Sequence, residues 1–249
     1  MRIIYALPEI INEPPKKVGR FIRQIPNLGI KRYCPVCRMP SERFGEVGIV
    51  PREDAKCTSC GARERHRLVW LYFKRMTDLF DGCPKNMLHV APERTFENLL
   101  KHQLGSGYLT ADLHKSSAMV RMDITDIDYA DDTFDVIYCS HVLEHVPDDR
   151  RAIRELHRVL KSDGWAVLLV PITTDITFED PSITEPTDRL RLFGNKDHVR
   201  KYGPDFVERL KEAGFKVKVI TASDFLTEEE TGLMGITEAA GDIYYCTKR

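Results

Sequence analysis

MDITDIDYADDTFDVIYCSHVLEHVPDDRRAIRELHRVLKSDGWAVLLVPI, residues 122–172, decides the fold. Val136-Ile137-Tyr138-Cys139 is a short apolar run of the kind buried on both faces of a parallel sheet. Asp148 and Asp149 supply an N-cap and negative charge for a helix start. Ile153, Leu156 and Leu160 recur at helical spacing, and Gly164 is expected to end that helix. Trp165 to Val170 reads as a second buried strand. The unit is βαβ, with the loop Ser140 to Pro147 at the carboxyl end of a strand, where open α/β sheets bind ligands.

Working outward, Met87 to Val90 reads as a first strand, Phe96 to Leu104 as a helix, and Tyr108 to Asp112 as a strand ending in an acid. Met119 to Met122 is a further strand, followed by Asp123 and Ile124. After Val170 the chain enters a long insert, residues 171–203, before a helix from Phe206 to Ala213 and strands at Phe215–Ile220 and Ile243–Cys246. Long loops at this end of a sheet tend to form lids or substrate walls.

Upstream, Cys34-Pro-Val-Cys37 and Cys57-Thr-Ser-Cys60 form two C-x2-C pairs. Two cysteines three apart in a tight turn aim their thiolates at one point. Four soft thiolates at this spacing suit tetrahedral zinc in a closed structural site, with iron as the alternative metal. Cys139 and Cys246 fall in strands and read as small core residues. Residues 1–80 carry 16 Lys and Arg against 8 Asp and Glu, whereas the remainder carries 21 against 30. That asymmetry suits either a polyanion partner or mutual attraction between two oppositely charged parts. Apolar residues make up 42% and charged residues 30%, ordinary for a globular chain, and no apolar run approaches a membrane span. Seven cysteines in such a chain suggest metal ligands and buried thiols ahead of disulfides, and the expected location is cytoplasmic.

The stretch Asp131-x-x-Phe134-Asp135-Val136-Ile137, then Leu143-x-His145, then Arg158-Val159-Leu160-Lys161-x-x-Gly164, resembles the second half of a class I S-adenosylmethionine-dependent methyltransferase of the type 11 kind. The resemblance covers roughly residues 85–249. It implies an α/β fold with a Rossmann-like, seven-stranded, mostly parallel sheet flanked by helices, here preceded by a small metal-binding module. The organisation expected is an extension at 1–30, a four-cysteine zinc-ribbon-like module at 31–62, a connecting helix at 63–84 and the methyltransferase domain at 85–249. By position in the family pattern, Asp112 matches the acid that binds ribose hydroxyls, with Leu113 beside it. Asp123 and Ile124 match the residues that meet the adenine amino group and ring. Ser140, with no Gly-x-Ser-x-Gly turn around it, reads as a cofactor-side contact ahead of a nucleophile.

One turn departs from the pattern. No glycine occurs between Gly82 and Gly105, where the family places a glycine-rich turn against the cofactor's methionine part. Ala91 is the small residue there, and Glu93 stands where an acid could meet the ammonium; Pro92 and Glu93 also suit a helix start. His145 is the candidate base, or else shapes the loop by hydrogen bonding. Arg189, Arg191, His198, Arg200 and Tyr202 in the insert suggest a polar, anionic acceptor, or pair with the acids of the same loop. Three functions remain open at this level: a methyltransferase moving a methyl to O, N or C of a small acceptor such as a sugar, a quinone-like ring or a secondary metabolite; an rRNA or tRNA methyltransferase using the basic module; and a non-enzymatic binding protein on a degenerate scaffold. The absence of an aromatic-basic stacking run weighs against RNA. Nothing in the sequence fixes an oligomeric state.

Overall fold

A computed structural model describes residues 31–48, 51–114 and 118–248, in two compact units. The extension expected at 1–30 lies outside the described residues. The first unit comprises the described residues up to Cys83 together with Thr221–Ala240, and the second comprises Pro84–Ile220 and the chain from Gly241 onward. The front boundary falls at Cys83/Pro84, but Thr221–Ala240, which the sequence reading left in the methyltransferase domain, groups with the front unit.

The first unit is built from two small hairpins, β1 (Arg32–Cys34) with β2 (Met39–Ser41) and β3 (Gly45–Val47) with β4 (Arg52–Lys56), followed by α1 (Glu64–Met76). Each cysteine pair closes a similar turn. The Arg38 N–H donates to the Cys34 carbonyl at 2.8 Å and the Gly61 N–H to that of Cys57 at 2.9 Å, with both donors at positive φ. Helix α1 buries Leu68 to Phe73 without interruption. The segment from 221 adds the helix Glu228–Met234, started by a reciprocal pair of hydrogen bonds between Thr227 and Glu230. The guanidinium of Arg67 is fully buried and ties these pieces together. It donates to the carbonyls of Ala55 at 3.0 Å, Ala62 at 2.7 Å and Gly235 at 2.7 Å, and lies over the Phe44 ring. Gly235 has φ 57°, and a Cβ there would approach Phe44 at 3.1 Å and Arg67 at 3.3 Å, so glycine is required.

The second unit is a seven-stranded sheet in the order β12-β13-β9-β8-β5-β6-β7. In chain order these are β5 (Met87–Val90), β6 (Tyr108–Asp112), β7 (Val120–Arg121), β8 (Phe134–Ser140), β9 (Leu160–Leu169), β12 (Lys216–Ile220) and β13 (Ile243–Thr247). The first five run parallel to one another; β13 is antiparallel to both β9 and β12. Helices α2 (Arg94–Leu104), α3 (Asp149–Val159) and α5 (Phe206–Glu212) flank the sheet, while α4 (Pro186–Phe193) and the short pair β10 (Phe178–Glu179) with β11 (Arg200–Lys201) occupy the insert. The Rossmann-like α/β fold is therefore observed. Burial of all four residues of β5, and of Val136 to Ser140 on β8, explains why these strands read as continuous apolar runs. Cys139 and Cys246 are fully buried core thiols whose pKa burial pushes up.

Helix α3 starts as expected, with the Asp148 side chain accepting the Arg151 N–H at 2.9 Å, but it ends at Val159, five residues before Gly164. Leu160 already pairs with Phe134 in the sheet. Gly164 lies inside β9, where an added Cβ would sit 2.6 Å from the Asp135 carbonyl oxygen; close strand approach, not helix termination, demands the glycine.

Candidate functional site

The carboxyl ends of β5, β6, β7 and β8 converge on one cavity of ≈ 510 Å³, walled by Val90, Ala91, Asp112, Leu113, Met122 to Thr125, His141, Val142 and His145 to Asp148. This is where a parallel open sheet exposes its loop ends. At the end of β5, Ala91 takes φ 48°, the left-handed conformation that glycine adopts without cost, and its N–H donates to the Ala111 carbonyl at 2.7 Å. The glycine-free turn thus keeps a glycine-like backbone with a methyl in place of a hydrogen. Ala91→Val should destabilise the protein by about 1–2 kcal/mol, because a β-branched residue is a steric outlier at that φ; a melting temperature equal to the parent's would show that the turn relaxes freely.

Asp112 ends β6 with its carboxylate held by the His114 N–H at 2.8 Å. Asp123 accepts both the N–H and the hydroxyl of Thr125 at 2.8 Å, and these two bonds hold its carboxyl below the ordinary aspartate value. Ile124 is buried beside it, and Leu113 stays 40% exposed on the cavity wall. Two residues expected to touch cofactor do not line the cavity. Glu93 accepts a hydrogen bond from the Tyr138 hydroxyl at 2.8 Å, while its N–H reaches His89 Nε2 at 3.4 Å. Ser140 is 5% exposed and its hydroxyl has no hydrogen-bond partner among the described residues.

The five residues expected to face an acceptor divide four ways. Arg200 and Tyr202 are 3% and 0% exposed and belong to the architecture. Arg200 donates to the carbonyls of Leu143 and Pro147, both at 2.8 Å, and to Glu179 at 2.8 Å, while the Tyr202 hydroxyl donates to Asp149 at 2.6 Å. Arg209 completes this network through Asp149 and Glu179, each at 2.9 Å. Burial works to raise the Glu179 carboxyl, but hydrogen bonds and charge from Arg209 and Arg200 prevail and hold it at about 2. Arg191 lies on the surface, paired with Asp188 at 3.0 Å. Arg189 lines a second cavity of ≈ 310 Å³ that shares Pro147 and Asp148 with the first. His198 is brought beside His145, their rings edge to face at 4.6 Å. Sequence reasoning placed Asp149 only at a helix start and missed its ion pair with Arg209, 60 residues away.

His145 sits in a short turn of helix, Leu143–His145, at the cavity wall. Its Nδ1 is 3.2 Å from the Asp197 carbonyl. A carbonyl only accepts, so this bond puts a proton on Nδ1, and in the neutral ring the lone pair is then on Nε2. His198 is pushed below the ordinary imidazole pKa by burial, reinforced by His145 and opposed by Glu144. Separately, in the first unit, the four cysteine sulfurs lie within 4.8 Å of one another. Cys34 Sγ is 3.6 Å from that of Cys60 and Cys37 Sγ is 3.7 Å from that of Cys57, and all four are free thiols. A tetrahedron of sulfurs about 2.3 Å from zinc has edges of about 3.8 Å, so the donor set fits zinc.

Comparison with known proteins agrees with this geometry. Residues 83–168 match a family described as Methyltransferase domain. A demethylmenaquinone methyltransferase of Alkalihalophilus pseudofirmus is 35% identical over 85 residues, covering 34% of this chain and 30% of that protein. A ubiquinone biosynthesis O-methyltransferase of Pseudomonas aeruginosa is 33% identical over 102 residues, covering 38% and 43%. The chain spans less than half the length of either. An S-adenosylmethionine-dependent methyltransferase of known structure from Mesorhizobium loti superposes with a TM-score of 0.50 at 15% identity, covering 72% of this chain and 97% of that one. That likeness concerns the fold. The second unit thus has the fold of the class I methyltransferases, and the match to the Methyltransferase domain family spans residues 83–168. The cavity fits the cofactor of that class: its size is in the range of small-molecule sites, an acid faces it from β6, and apolar walls flank that acid. Among the described residues, no helix is long and apolar enough to cross a membrane.

Proposed function

We propose that this protein transfers a methyl group from S-adenosylmethionine to a small polar acceptor. The observation that carries this reading is the meeting of Ala91, Asp112, Leu113, Asp123, Ile124 and His145 around one cavity at the carboxyl edge of the sheet. In this reading Asp112 binds the ribose hydroxyls, Asp123 and Ile124 receive the adenine, and the Ala91 turn admits the methionine part. The cofactor supplies an electrophilic methyl on a sulfonium. The chain's own contribution is to position that methyl and the acceptor in line and to exclude water. His145, whose neutral ring would present the Nε2 lone pair, stands at the acceptor end to take up or orient an acceptor proton. Two relatives named for quinone substrates favour an acceptor of quinone-like type over a macromolecule. The four cysteines hold zinc as a structural ion of the front unit; colour and metal analysis separate zinc from iron.

Calorimetric titration with S-adenosylmethionine and with S-adenosylhomocysteine tests the reading. Both should bind in the micromolar range. Asp112→Ala should weaken them by about 10- to 100-fold, the value of hydrogen bonds to a charged group. Absence of binding to either ligand would remove the methyltransferase reading in favour of a binding protein on this scaffold.

A further inference from the structure

We propose that Glu144, His145 and His198 form a site for a divalent transition-metal ion at the wall of the cavity, and that the ion takes an oxygen of the acceptor as a further ligand. The ligand atoms of the three side chains all lie within 4.8 Å of one another. Glu144 is 1% exposed, and its Oε2 has no hydrogen-bond partner among the described residues. A buried carboxylate oxygen left this way is costly unless a cation meets it. Its other oxygen is 3.3 Å from His141 Nδ1. His145 has the orientation of a metal-binding imidazole: Nδ1–H is turned onto a backbone carbonyl, which frees Nε2 for a ligand bond.

The two contributing segments are far apart in sequence but fixed to each other. The Val199 N–H donates to the Glu144 carbonyl at 2.9 Å, next to His198. Arg200 holds the Leu143 carbonyl on the other side at 2.8 Å. The donors are therefore pre-placed by backbone bonds that need no ion to form. Two imidazoles and one carboxylate suit zinc, manganese, iron, cobalt or nickel, and three protein ligands leave coordination positions open. His141 and His145 both line the cavity, so an open position there is within reach of a molecule bound in it.

An ion at this place would act as a Lewis acid on a hydroxyl acceptor. With His145 Nε2 bound to the ion and no longer available as a base, the acceptor oxygen would lose its proton to solvent and form the new bond to the methyl carbon, while the departing sulfur keeps the electron pair of the broken carbon–sulfur bond. This consequence rests on the methyltransferase reading and narrows its acceptor to an oxygen nucleophile. The metal site itself does not depend on that reading.

The test is titration of the full-length protein, its cysteine cluster already filled with zinc, with cobalt(II), followed by calorimetry and visible absorption. Wild type should bind one further cobalt per chain with the weak bands of nitrogen and oxygen ligands, distinct from thiolate charge transfer. Glu144→Gln and His198→Ala should each lower cobalt affinity at least about tenfold. S-adenosylhomocysteine binding by the same variants, read by calorimetry, reports that the cavity is intact. No further cobalt in wild type overturns the proposal, as does unchanged affinity in both variants. Cobalt binding that the variants abolish, without S-adenosylhomocysteine binding in wild type, would uphold the metal site while removing the methyltransferase reading.

Discussion

Cys34→Ser is expected to release the metal ion proposed for the four cysteines and to unfold the small hairpins that carry them. The strands of this module are three to five residues long, and such pieces cannot stabilise themselves by burial alone. Among its described residues the buried side chains are few: Tyr33, Pro35, Val36, Phe44, Ala55 and Ala62 accompany Cys34 and Cys57. Apparent binding of a structural zinc contributes about 10–16 kcal/mol in small metal domains, more than such a core could supply. Serine keeps the size of cysteine but offers a hard hydroxyl that stays protonated, so a three-thiolate site remains. The loss should propagate to Arg67, because two of its three carbonyl acceptors, Ala55 and Ala62, flank the second cysteine pair. Metal analysis should show loss of the stoichiometric ion, and hydrogen exchange should show loss of protection across β1 to β4. The strands β5, β8 and β9 belong to a separate compact unit and should keep theirs. Stoichiometric metal in the purified variant, with protection unchanged, would defeat the four-cysteine assignment.

What the sequence disclosed follows the range of the interactions concerned. Strands buried on both faces declare themselves as apolar runs, and Ile153 and Leu156 mark the buried stripe of α3, because these patterns depend on neighbours a few residues away. Gly164 was misread because a glycine looks the same whether it ends a helix or admits a neighbouring strand; only the pairing of Leu160 with Phe134 separates the two. Thr221–Ala240 carries nothing local to say that Gly235 will accept a hydrogen bond from Arg67, 168 residues earlier. The missing glycine at the cofactor turn was legible, but that Ala91 still adopts φ 48° was not, since conformation at one residue is set by its surroundings. Charge is the least legible feature. Arg200 and Arg191 sit nine residues apart in the same insert, yet one is buried under three carbonyls and the other lies in solvent. Glu144 passed as a spacer between Leu143 and His145, and its burial without a partner for Oε2 among the described residues is visible only in three dimensions.

Asp149→Ala should cost about 3–5 kcal/mol, the range for removing one member of a buried ion network. Asp149 is 2% exposed and accepts from Tyr202 at 2.6 Å and from Arg209 at 2.9 Å, with Arg200 at 3.7 Å. Alanine would leave two buried guanidinium groups sharing only Glu179, whose side chain is 37% exposed, and would leave the Tyr202 hydroxyl only its 3.3 Å bond to the Leu143 carbonyl. For a chain of this size the melting temperature should fall by about 10 °C. Asp149→Asn keeps the shape and an acceptor oxygen but not the charge, so it should fall between alanine and the parent. The effect should also reach the cavity. Arg200 fixes the carbonyls of Leu143, Val146 and Pro147, and this loop contributes His145 and the wall from Val146 to Asp148. Once Arg200 loses its buried anion it has reason to turn toward solvent, and the loop loses three hydrogen bonds together. Hydrogen exchange should therefore rise over residues 143–148 at temperatures well below the new melting point, while β5 and β8 remain protected. A melting temperature within a degree or two of the parent's would mean that water reaches Arg200 and Arg209 readily, and that the loop bearing His145 is held by its backbone alone.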